Sequence, residues 1–233
     1  MDSFSRAAVK YDGYAEFQKS SAIDLIALLP KGKSFHSIID IGAGTGFVSA
    51  ELAKFFPEAN YCLLDSSKEM LAVAHDKLPS ASRIVSDAEC YDFSDGVYDL
   101  GVSNLALHWF KSPEVFLKKI MSHSRYFLFS TMLNSSFTEY KQAFLKNGFK
   151  PPTFCYPELQ EFIIPERIIA LDKKRYVKSF INLHAAARHF KNIGAGRSSY
   201  QMKTSKLIRT LKSSTAPITL NYEVLFMLLK GER

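Results

Sequence analysis

The chain has 233 residues, of which 47% are hydrophobic and 23% are charged. That length and composition predict one large domain with a sizeable core, and they exclude a disordered chain. Glycine and proline are scattered without a period, so collagen-like, coiled-coil and repeat architectures are excluded as well.

The net charge of +7 is concentrated in one stretch of the chain. Twelve basic residues and one acidic residue lie between Arg167 and Lys212, so this stretch carries +11 and the rest of the chain carries −4. A basic block on a mildly acidic body predicts an anionic macromolecular partner: nucleic acid, an anionic membrane surface or an acidic carrier protein. The alternative is a solvated surface with no dedicated partner.

Sequence features of secretion, membrane insertion and metal binding are missing. The longest apolar run, Val224–Leu229, is far shorter than the ~20 residues that cross a bilayer. The first fourteen residues have no apolar signal-peptide region. Cys62, Cys90 and Cys155 form no CxxC motif and no metal-ligand spacing. We therefore expect a cytoplasmic protein with reduced thiols, no bound metal and no membrane partner.

Residues 37–132 alternate between short apolar runs and segments with helical periodicity. The helices are predicted over Thr45–Phe56, from a capping box at Ser66 and Glu69, and from Ser112-Pro113 to about Ser122. This alternation predicts βαβ units and a parallel sheet with helices on both faces. The predicted strands are Ser37–Ile41, Asn60–Asp65, Arg83–Asp87, Tyr98–Asn104 and Ser124–Met132.

The rhythm changes after Met132. The predicted fold is α/β: a doubly wound, mostly parallel seven-stranded sheet in a single domain of residues 1–233. We expect an N-terminal helical lid at residues 1–35 and a basic helical insertion at residues 178–217, before the last strand. The later predicted elements are helices over Ser135–Asn147, Ser179–Ile193 and Tyr200–Lys212, with strands over Arg167–Val177 and Leu220–Leu229.

A glycine turn with the sequence DIGAGTG, Asp40 to Gly46, follows the first strand. Its GxGxG spacing differs from the dinucleotide fingerprint GxGxxG, and no Gly-Lys-Ser/Thr follows as in a P-loop. Glycines without a Cβ let a ligand approach the backbone at a helix N-terminus. Such a turn can receive a carboxylate instead of a pyrophosphate.

Polar residues also stand at the ends of the next three predicted strands. Asp65 can accept hydrogen bonds from both hydroxyls of a ribose, Asp87 and Ala88 can reach an adenine edge, and Asn104 faces the same crevice. Ligands of open α/β sheets bind outside the carboxyl ends of the strands. Ordinary turn glycines and helix caps are the alternative, but the whole ordered set favours one adenosine-containing ligand.

With these residues the core resembles the class I S-adenosylmethionine (SAM) methyltransferases, whose first motif is matched by Asp40 to Gly46. The resemblance implies SAM as cofactor. It assigns Gly42, Gly44 and Gly46 to its methionine part, Asp65 to the ribose, Met70, Asp87 and Ala88 to the adenine, and Asn104 to the neighbourhood of the methionine moiety. Asp40 and Ser66 are further predicted cofactor-binding residues.

Other segments are similar to the malonyl-acyl carrier protein O-methyltransferases of biotin synthesis. They are Phe4–Ala8 with Tyr11 to Gln18, Ser103–Trp109, Lys191–Ala195 and Tyr222–Phe226. His108 stands where that family commonly has Gln. The resemblance implies methylation of the free carboxylate of malonyl-acyl carrier protein, at the start of biotin (pimeloyl) synthesis.

A malonyl carboxylate has a pKa of about 4 and is ionised at pH 7, so it needs no general base. The enzyme must position and desolvate it. We expect Tyr11 and Gln18 to close over SAM, and His108 and Trp109 to line the methyl-transfer pocket. A hydrogen-bonded structural role is the alternative for His108, to which we assign no base chemistry.

Guanidinium groups bind carboxylates bidentately, so Arg188 and Arg197 are candidates to anchor the substrate, with a surface role as the alternative. The basic block is predicted to steer and dock an acidic acyl carrier protein. Its predicted contacts are Lys173, Lys174, Arg175, Lys206 and Arg209.

Two other functions compete with this one. The first is a SAM-dependent methyltransferase acting on RNA or on a free small acid, and the second is a non-catalytic SAM-binding assembly factor. The sequence has no motif of a known RNA-binding module and no Asn-Pro-Pro-Tyr-like tetrapeptide after the fourth strand. We therefore do not expect nucleic acid as a partner, and we expect a monomer.

Overall fold

The computed structural model describes residues 11–94, 96–149, 156, 158–162, 164–192, 209, 211 and 215–232. The N-terminal motif Phe4–Ala8, the candidate Arg197 and the predicted contact Lys206 lie outside these residues. So does the predicted helix Tyr200–Lys212, apart from Arg209 and Leu211.

Seven strands form one sheet in the order β3-β2-β1-β4-β5-β7-β6. The first five pair in parallel, while β7 runs antiparallel to both β5 and β6. The predicted fold class is therefore confirmed. The strands are β1 Ser37–Ile41, β2 Asn60–Asp65, β3 Ser82–Val85, β4 Tyr98–Asn104, β5 Ser124–Met132, β6 Ile168–Phe180 and β7 Ile218–Lys230.

Helices cover both faces of the sheet because neighbouring strand residues point to opposite sides and both sides are apolar. Ile38 belongs to one hydrophobic core and Ile39 to the other. Helix α4 packs on the Ile39 side, while α1, α2, α3, α5 and α6 pack on the Ile38 side. The helices are α1 Glu16–Ile26, α2 Phe47–Ala53, α3 Lys68–Lys77, α4 Pro113–Ser122, α5 Thr138–Lys146 and α6 Leu183–Asn192.

Several predicted boundaries shift, and two shifts affect the site. Strand β3 ends at Val85, so Asp87 lies in the following loop instead of on the strand. Strand β6 continues to Phe180, into the predicted insertion of residues 178–217, because its inward side chains still pack against β7. The basic residues Lys173, Lys174, Arg175 and Lys178 therefore belong to the sheet.

Within the part of the chain that the structure describes, no helix is long and apolar enough to cross a membrane. Nor do the described His, Cys, Asp and Glu side chains form a group of three or more that could hold a metal ion.

Candidate functional site

A cavity of about 340 Å³, the cofactor cavity, opens beside the loops that follow β1, β2, β3 and β4. It falls within the roughly 300–1,000 Å³ of small-molecule pockets. Gln18 and Asp40 line a smaller adjoining cavity beneath α1, and Gly46 lies outside both. The cofactor cavity is lined by nine of the twelve residues that the sequence predicts to hold the cofactor: Tyr11, Gly42, Gly44, Asp65, Ser66, Met70, Asp87, Ala88 and Asn104.

The glycines of the turn have different roles. A Cβ added to Gly42, whose φ is +67°, would lie 2.5 Å from the Cβ of Ala106, so packing requires this glycine. A Cβ added to Gly44 would meet nothing within 4 Å, and Gly44 lines the cofactor cavity, where a ligand can approach its backbone. At Gly46 an added Cβ would lie 2.8 Å from the Cβ of Ala74. Gly46 therefore packs α2 against α3 instead of making the predicted ligand contact.

Asp65 is held in place at the end of β2 by backbone donors. The Gly44 N–H donates to its Oδ2 over 2.8 Å, and the Ser67 N–H donates to its Oδ1 over 2.8 Å. Each carboxylate oxygen can accept more than one hydrogen bond. The carboxylate thus joins the glycine turn to the start of α3 and can still accept the hydroxyl groups of a ribose.

The start of α3 differs from the capping-box prediction. Ser67, not Ser66, is the N-cap, and its Oγ accepts a hydrogen bond from the Met70 N–H over 3.2 Å. This register leaves Ser66 on the cavity wall and turns Met70 inward, where it is buried. Together with the buried Ala88, Met70 gives the cavity an apolar surface that fits an adenine ring.

The loop after β3 is fixed by its own carboxylates. Asp87 Oδ1 accepts the Glu89 N–H over 3.0 Å. Glu89 in turn accepts the N–H groups of Lys111 and Ser112 over 3.0 and 2.9 Å, just before α4 begins. The sequence prediction gave this capping role to Ser112, whose side chain makes no capping bond. Glu89 was missed because the two partners are about twenty residues apart.

Asn104 joins β4 to the N-terminal segment. Its Oδ1 accepts hydrogen bonds from Ser21 over 2.9 Å and Ser130 over 2.6 Å, and its Nδ2 donates to the Gln18 carbonyl over 3.0 Å. The side chain is thus engaged by the protein, although it also lines the cofactor cavity. The structure gives Asn104 a positioning role that the prediction of a direct methionine contact did not include.

Residues 11–14 are helical and lie across the glycine turn, as a lid would. Asp12 accepts a hydrogen bond from Thr45 over 2.7 Å and forms a 2.6 Å ion pair with Lys77. Burial alone would raise the pKa of Asp12, but the hydrogen bonds from Lys77 and Thr45 hold it below its usual value. Burial, and then the carboxylates of Asp12 and Asp65, raise the pKa of the Tyr11 phenol, so it stays protonated. The sequence analysis did not predict the contacts of Asp12 with Thr45 and Lys77.

Asp40 is buried on β1 and lines the smaller cavity beneath α1. Burial raises its pKa to about 7, against the opposing effect of a 2.7 Å hydrogen bond from the Ser49 hydroxyl to its Oδ2. A carboxyl group in this position changes charge near neutral pH.

A further cavity of about 60 Å³, the aromatic cavity, shares Tyr11, Leu105 and Trp109 with the cofactor cavity. Both His108 and Trp109 line it, as the sequence predicts for the transfer pocket. Burial lowers the pKa of His108 to about 3, and its Nδ1 accepts the Met132 N–H over 3.4 Å. The ring is therefore neutral. The other residues that line it are Phe17, Gln18, Met132, Phe137, Tyr156, Phe190 and Tyr222.

The candidate Arg188 lies away from both cavities. On α6 the described buried residues are Leu183, Ala186, Ala187, His189 and Phe190, whereas Arg188 is exposed. The sequence prediction of a carboxylate contact relied on residue type, which does not show which side of the helix faces the site.

Three of the predicted carrier-protein contacts lie on β6 and have acidic partners in the same chain. Lys174 forms a 2.6 Å ion pair with Asp24 of α1, and Arg175 pairs with Glu223 of β7, which Lys173 also approaches at 3.8 Å. These ion pairs connect β6 to β7 and to α1. Arg209, a further predicted contact, is exposed.

Proteins of similar sequence are methyltransferases. A family described as a methyltransferase domain matches residues 39–124. The malonyl-[acyl-carrier protein] O-methyltransferase of Neorickettsia risticii is 28% identical over 232 residues, covering 96% of this chain and 92% of that protein. The malonyl-[acyl-carrier protein] O-methyltransferase 1 of Ilyobacter polytropus is 30% identical over 211 residues, covering 82% of this chain and 75% of that protein.

Solved structures of similar fold are methyltransferases too. One from Bacillus halodurans superposes with a TM-score of 0.61 at 14% identity, over 91% of this chain and 98% of that one. The plantazolicin methyltransferase, solved with S-adenosylhomocysteine (SAH), has a TM-score of 0.54 at 18% identity, over 97% of this chain and 90% of that one. At these identities the likeness shows the fold.

Proposed function

The chain belongs to the family of malonyl-[acyl-carrier protein] O-methyltransferases, and we propose that it methylates the free carboxylate of a malonyl group attached to an acyl carrier protein. It is a SAM-dependent methyltransferase. The observation that carries the substrate proposal is the junction of two cavities, one of cofactor size and one small and aromatic, at Tyr11, Leu105 and Trp109. We propose that this methylation stands at the start of biotin (pimeloyl) synthesis, as the resemblance implies.

The residues of the cofactor cavity fit SAM, which supplies a methyl group on a positively charged sulfur. Asp65 would accept hydrogen bonds from the ribose hydroxyls, and Met70 and Ala88 would hold the adenine. The open space at Gly44 lets the methionine end approach the backbone. Asp12 and Tyr11 close the N-terminal segment over this end of the cavity.

The protein needs no general base for this reaction, because the substrate carboxylate is already ionised at neutral pH. The neutral ring of His108 and the protonated phenol of Tyr11 agree with this requirement, since neither removes a proton. The work of the enzyme is to align the carboxylate oxygen with the methyl group and to exclude water. The buried aromatic side chains around the junction serve the second task.

The acyl carrier protein is proposed to dock on exposed cations of the basic stretch Arg167–Lys212. Arg188 and Arg209 are exposed, whereas Lys174 and Arg175 already have partners within the chain. Charges of this kind act mainly on the rate of encounter and weaken as salt is added. The proposed docking surface therefore includes only some of the cations of the +11 stretch.

The test is transfer of label from methyl-labelled SAM to malonyl-acyl carrier protein, with malonyl-coenzyme A, free malonate and bulk RNA in parallel. Preferential labelling of the carrier-bound malonyl group, with the label released by ester hydrolysis, is the expected result. Labelling of free malonate or RNA in its place would contradict the proposal. Absence of any label, despite measured SAM binding, would leave only the non-catalytic alternative.

A further inference from the structure

Two residues that line the aromatic cavity carry buried polar atoms with no hydrogen-bond partner among the described residues. Tyr222 lies on β7 and is 2% exposed, and its buried hydroxyl makes no hydrogen bond to any described residue. The Oε1 atom of Gln18 is in the same situation. Both residues line this cavity, together with the neutral ring of His108. Three residues with uncharged polar groups thus line one small apolar space.

An unpartnered hydroxyl in a folded core is unfavourable. Leaving a buried donor unpaired costs on the order of 1–3 kcal/mol, so such groups point to a ligand that completes them. The Tyr222 ring is held between Phe17 and Phe137, with ring centroids at 4.4 and 4.7 Å. The surrounding rings therefore fix the position of the hydroxyl, which is what a binding residue requires.

We propose that the aromatic cavity receives the carboxylate end of the substrate, and that the Tyr222 hydroxyl donates a hydrogen bond to it. The ring of His108 is the second uncharged donor, because its Nδ1 accepts the Met132 N–H and its proton is therefore on Nε2. This inference rests on the proposed function and names the group that holds the substrate in that site.

The charge of the cavity suits the reaction. Among the described residues that line it, none is Lys or Arg. A carboxylate beside a positively charged sulfur forms a neutral pair. The carboxylate oxygen forms a bond to the methyl carbon as the carbon–sulfur bond breaks, and the sulfur keeps the electron pair. Both products are neutral and no proton moves, so an apolar site without a fixed cation favours the transfer.

The size of the cavity also fits a short acid. An ordered water needs roughly 10–15 Å³ of such volume, so about 60 Å³ accommodates about four groups of that size. A terminal CH₂–COO⁻ unit of a malonyl group has four heavy atoms. The thioester and carrier arm then have to extend outside the cavity.

The inference is tested with Tyr222→Phe, which removes only the hydroxyl. The KM for malonyl-acyl carrier protein should rise about tenfold with little change in kcat, because the hydrogen bond holds the carboxylate in the bound substrate and is kept in the transition state. The affinity for SAM, followed by quenching of Trp109, should stay within about twofold. Trp109 is the single tryptophan of the chain and lines the cofactor cavity.

The same substitution should raise the Tm of the protein without ligand by about 2 °C or more, since an unpaired buried hydroxyl is removed. The matched control is Tyr140→Phe on α5, an equally buried tyrosine outside the aromatic cavity, which should leave the KM unchanged. His108→Gln keeps an uncharged donor and should retain activity, while His108→Leu should also raise the KM.

The two ways of failing are distinguishable. Labelled malonyl-acyl carrier protein with an unchanged KM in Tyr222→Phe would overturn this inference and leave the proposed function standing. A clear fall in Tm would also overturn it, because the hydroxyl would then have a structural partner. No labelling by the unsubstituted protein would contradict the proposed function itself.

Discussion

The cofactor cavity and the aromatic cavity meet at the same three residues, yet they are built in opposite ways. The cofactor cavity is formed by loops after β1, β2, β3 and β4, with backbone groups and the Asp65 carboxylate in its wall. The aromatic cavity is formed by side chains from distant parts of the chain, such as Phe17, His108, Phe190 and Tyr222.

The difference agrees with the ligands that we propose for the two cavities. A nucleoside with several hydroxyls and amines needs fixed backbone donors and a charged acceptor. A short carboxylate that must lose its charge needs a dry space and weak donors, because strong pairing would lower its reactivity. The first kind of site is local in the sequence, and the second arises only after folding.

The largest effect is expected at the glycine turn, where packing and binding can be separated. Gly42→Ala should lower the free energy of unfolding by about 3 kcal/mol, because alanine is strained at positive φ and its Cβ meets Ala106. Gly44→Ala should cost only about 1 kcal/mol of stability, since its Cβ meets open space. It should nevertheless weaken SAM binding about tenfold.

Urea unfolding and Trp109 quenching measure the two quantities on the same samples. Equal losses of stability in the two variants would show that the space beside Gly44 is not kept open for a ligand. Unchanged SAM affinity in Gly44→Ala would contradict the proposed contact between the glycine turn and SAM.

The second-largest effect is expected at Asp65, whose carboxylate orders the glycine turn and is proposed to bind the ribose. Asp65→Asn should weaken SAM binding about 50-fold, because charge-assisted hydrogen bonds are roughly twice as strong as neutral ones. Asp87→Asn is the control, since the Asp87 side chain accepts the N–H of Glu89 in its own loop. We expect a loss of about fivefold or less there. Equal losses at both positions in a calorimetric titration would contradict the assignment of the ribose to Asp65.

Much of the cofactor half could be read from the sequence. Strands β1, β2, β4 and β5 begin and end at the predicted residues, and the glycine turn at Gly42 marks the end of β1. The strand-end residues Asp65 and Asn104 fall on the cavity because parallel strands bring their carboxyl ends to one edge. Some predictions missed the observed position by a single residue. One example is the N-cap of α3, which was predicted at Ser66 and lies at Ser67.

The aromatic cavity could not be predicted from the sequence in this way. Tyr222 was visible only as part of a hydrophobic last strand, and its partners Phe17 and Phe137 are 205 and 85 residues away in the chain. Likewise, the charge count treated all basic residues alike, although Lys174 and Arg175 are paired with Asp24 and Glu223. Such contacts depend on the antiparallel placement of β6 and β7.

A third prediction uses the pH dependence of Asp40, which lines the smaller cavity beneath α1. Its pKa is raised to about 7 in the folded protein, so between about pH 4 and pH 7 the folded state binds a proton that the unfolded state lacks. The stability that this proton contributes is present at low pH and is lost as the pH rises through 7. Asp40→Asn removes the titration.

Thermal unfolding between pH 5 and pH 8.5 measures this effect. The Tm of the unsubstituted protein should fall relative to that of Asp40→Asn by about 5 °C over that range. Asp12→Asn is the contrasting variant, because the pKa of Asp12 lies below its usual value, so that its contribution stays constant over this range and is lost only at more acidic pH. Parallel Tm curves for the unsubstituted protein and Asp40→Asn would contradict the raised pKa.

The smallest effect separates docking cations from structural ones. Arg188 is exposed, and no ion pair joins it to another described residue, whereas Lys174 is paired with Asp24. Arg188→Ala should lower kcat/KM for malonyl-acyl carrier protein about threefold at low salt, with no difference at high salt. Lys174→Ala should leave that ratio near its original value and lower the stability by about 0.5–1 kcal/mol.

Malonyl-coenzyme A supplies the control for this pair, because it presents the same carboxylate without the acidic protein. Arg188→Ala should use it as well as the unsubstituted protein does. A stronger effect of Lys174→Ala on the carrier-bound substrate would mean that the carrier displaces Asp24 from Lys174. Docking would then loosen α1, which Asn104 and Lys174 together hold over the site, and the carrier would act on the lid as well as deliver the substrate.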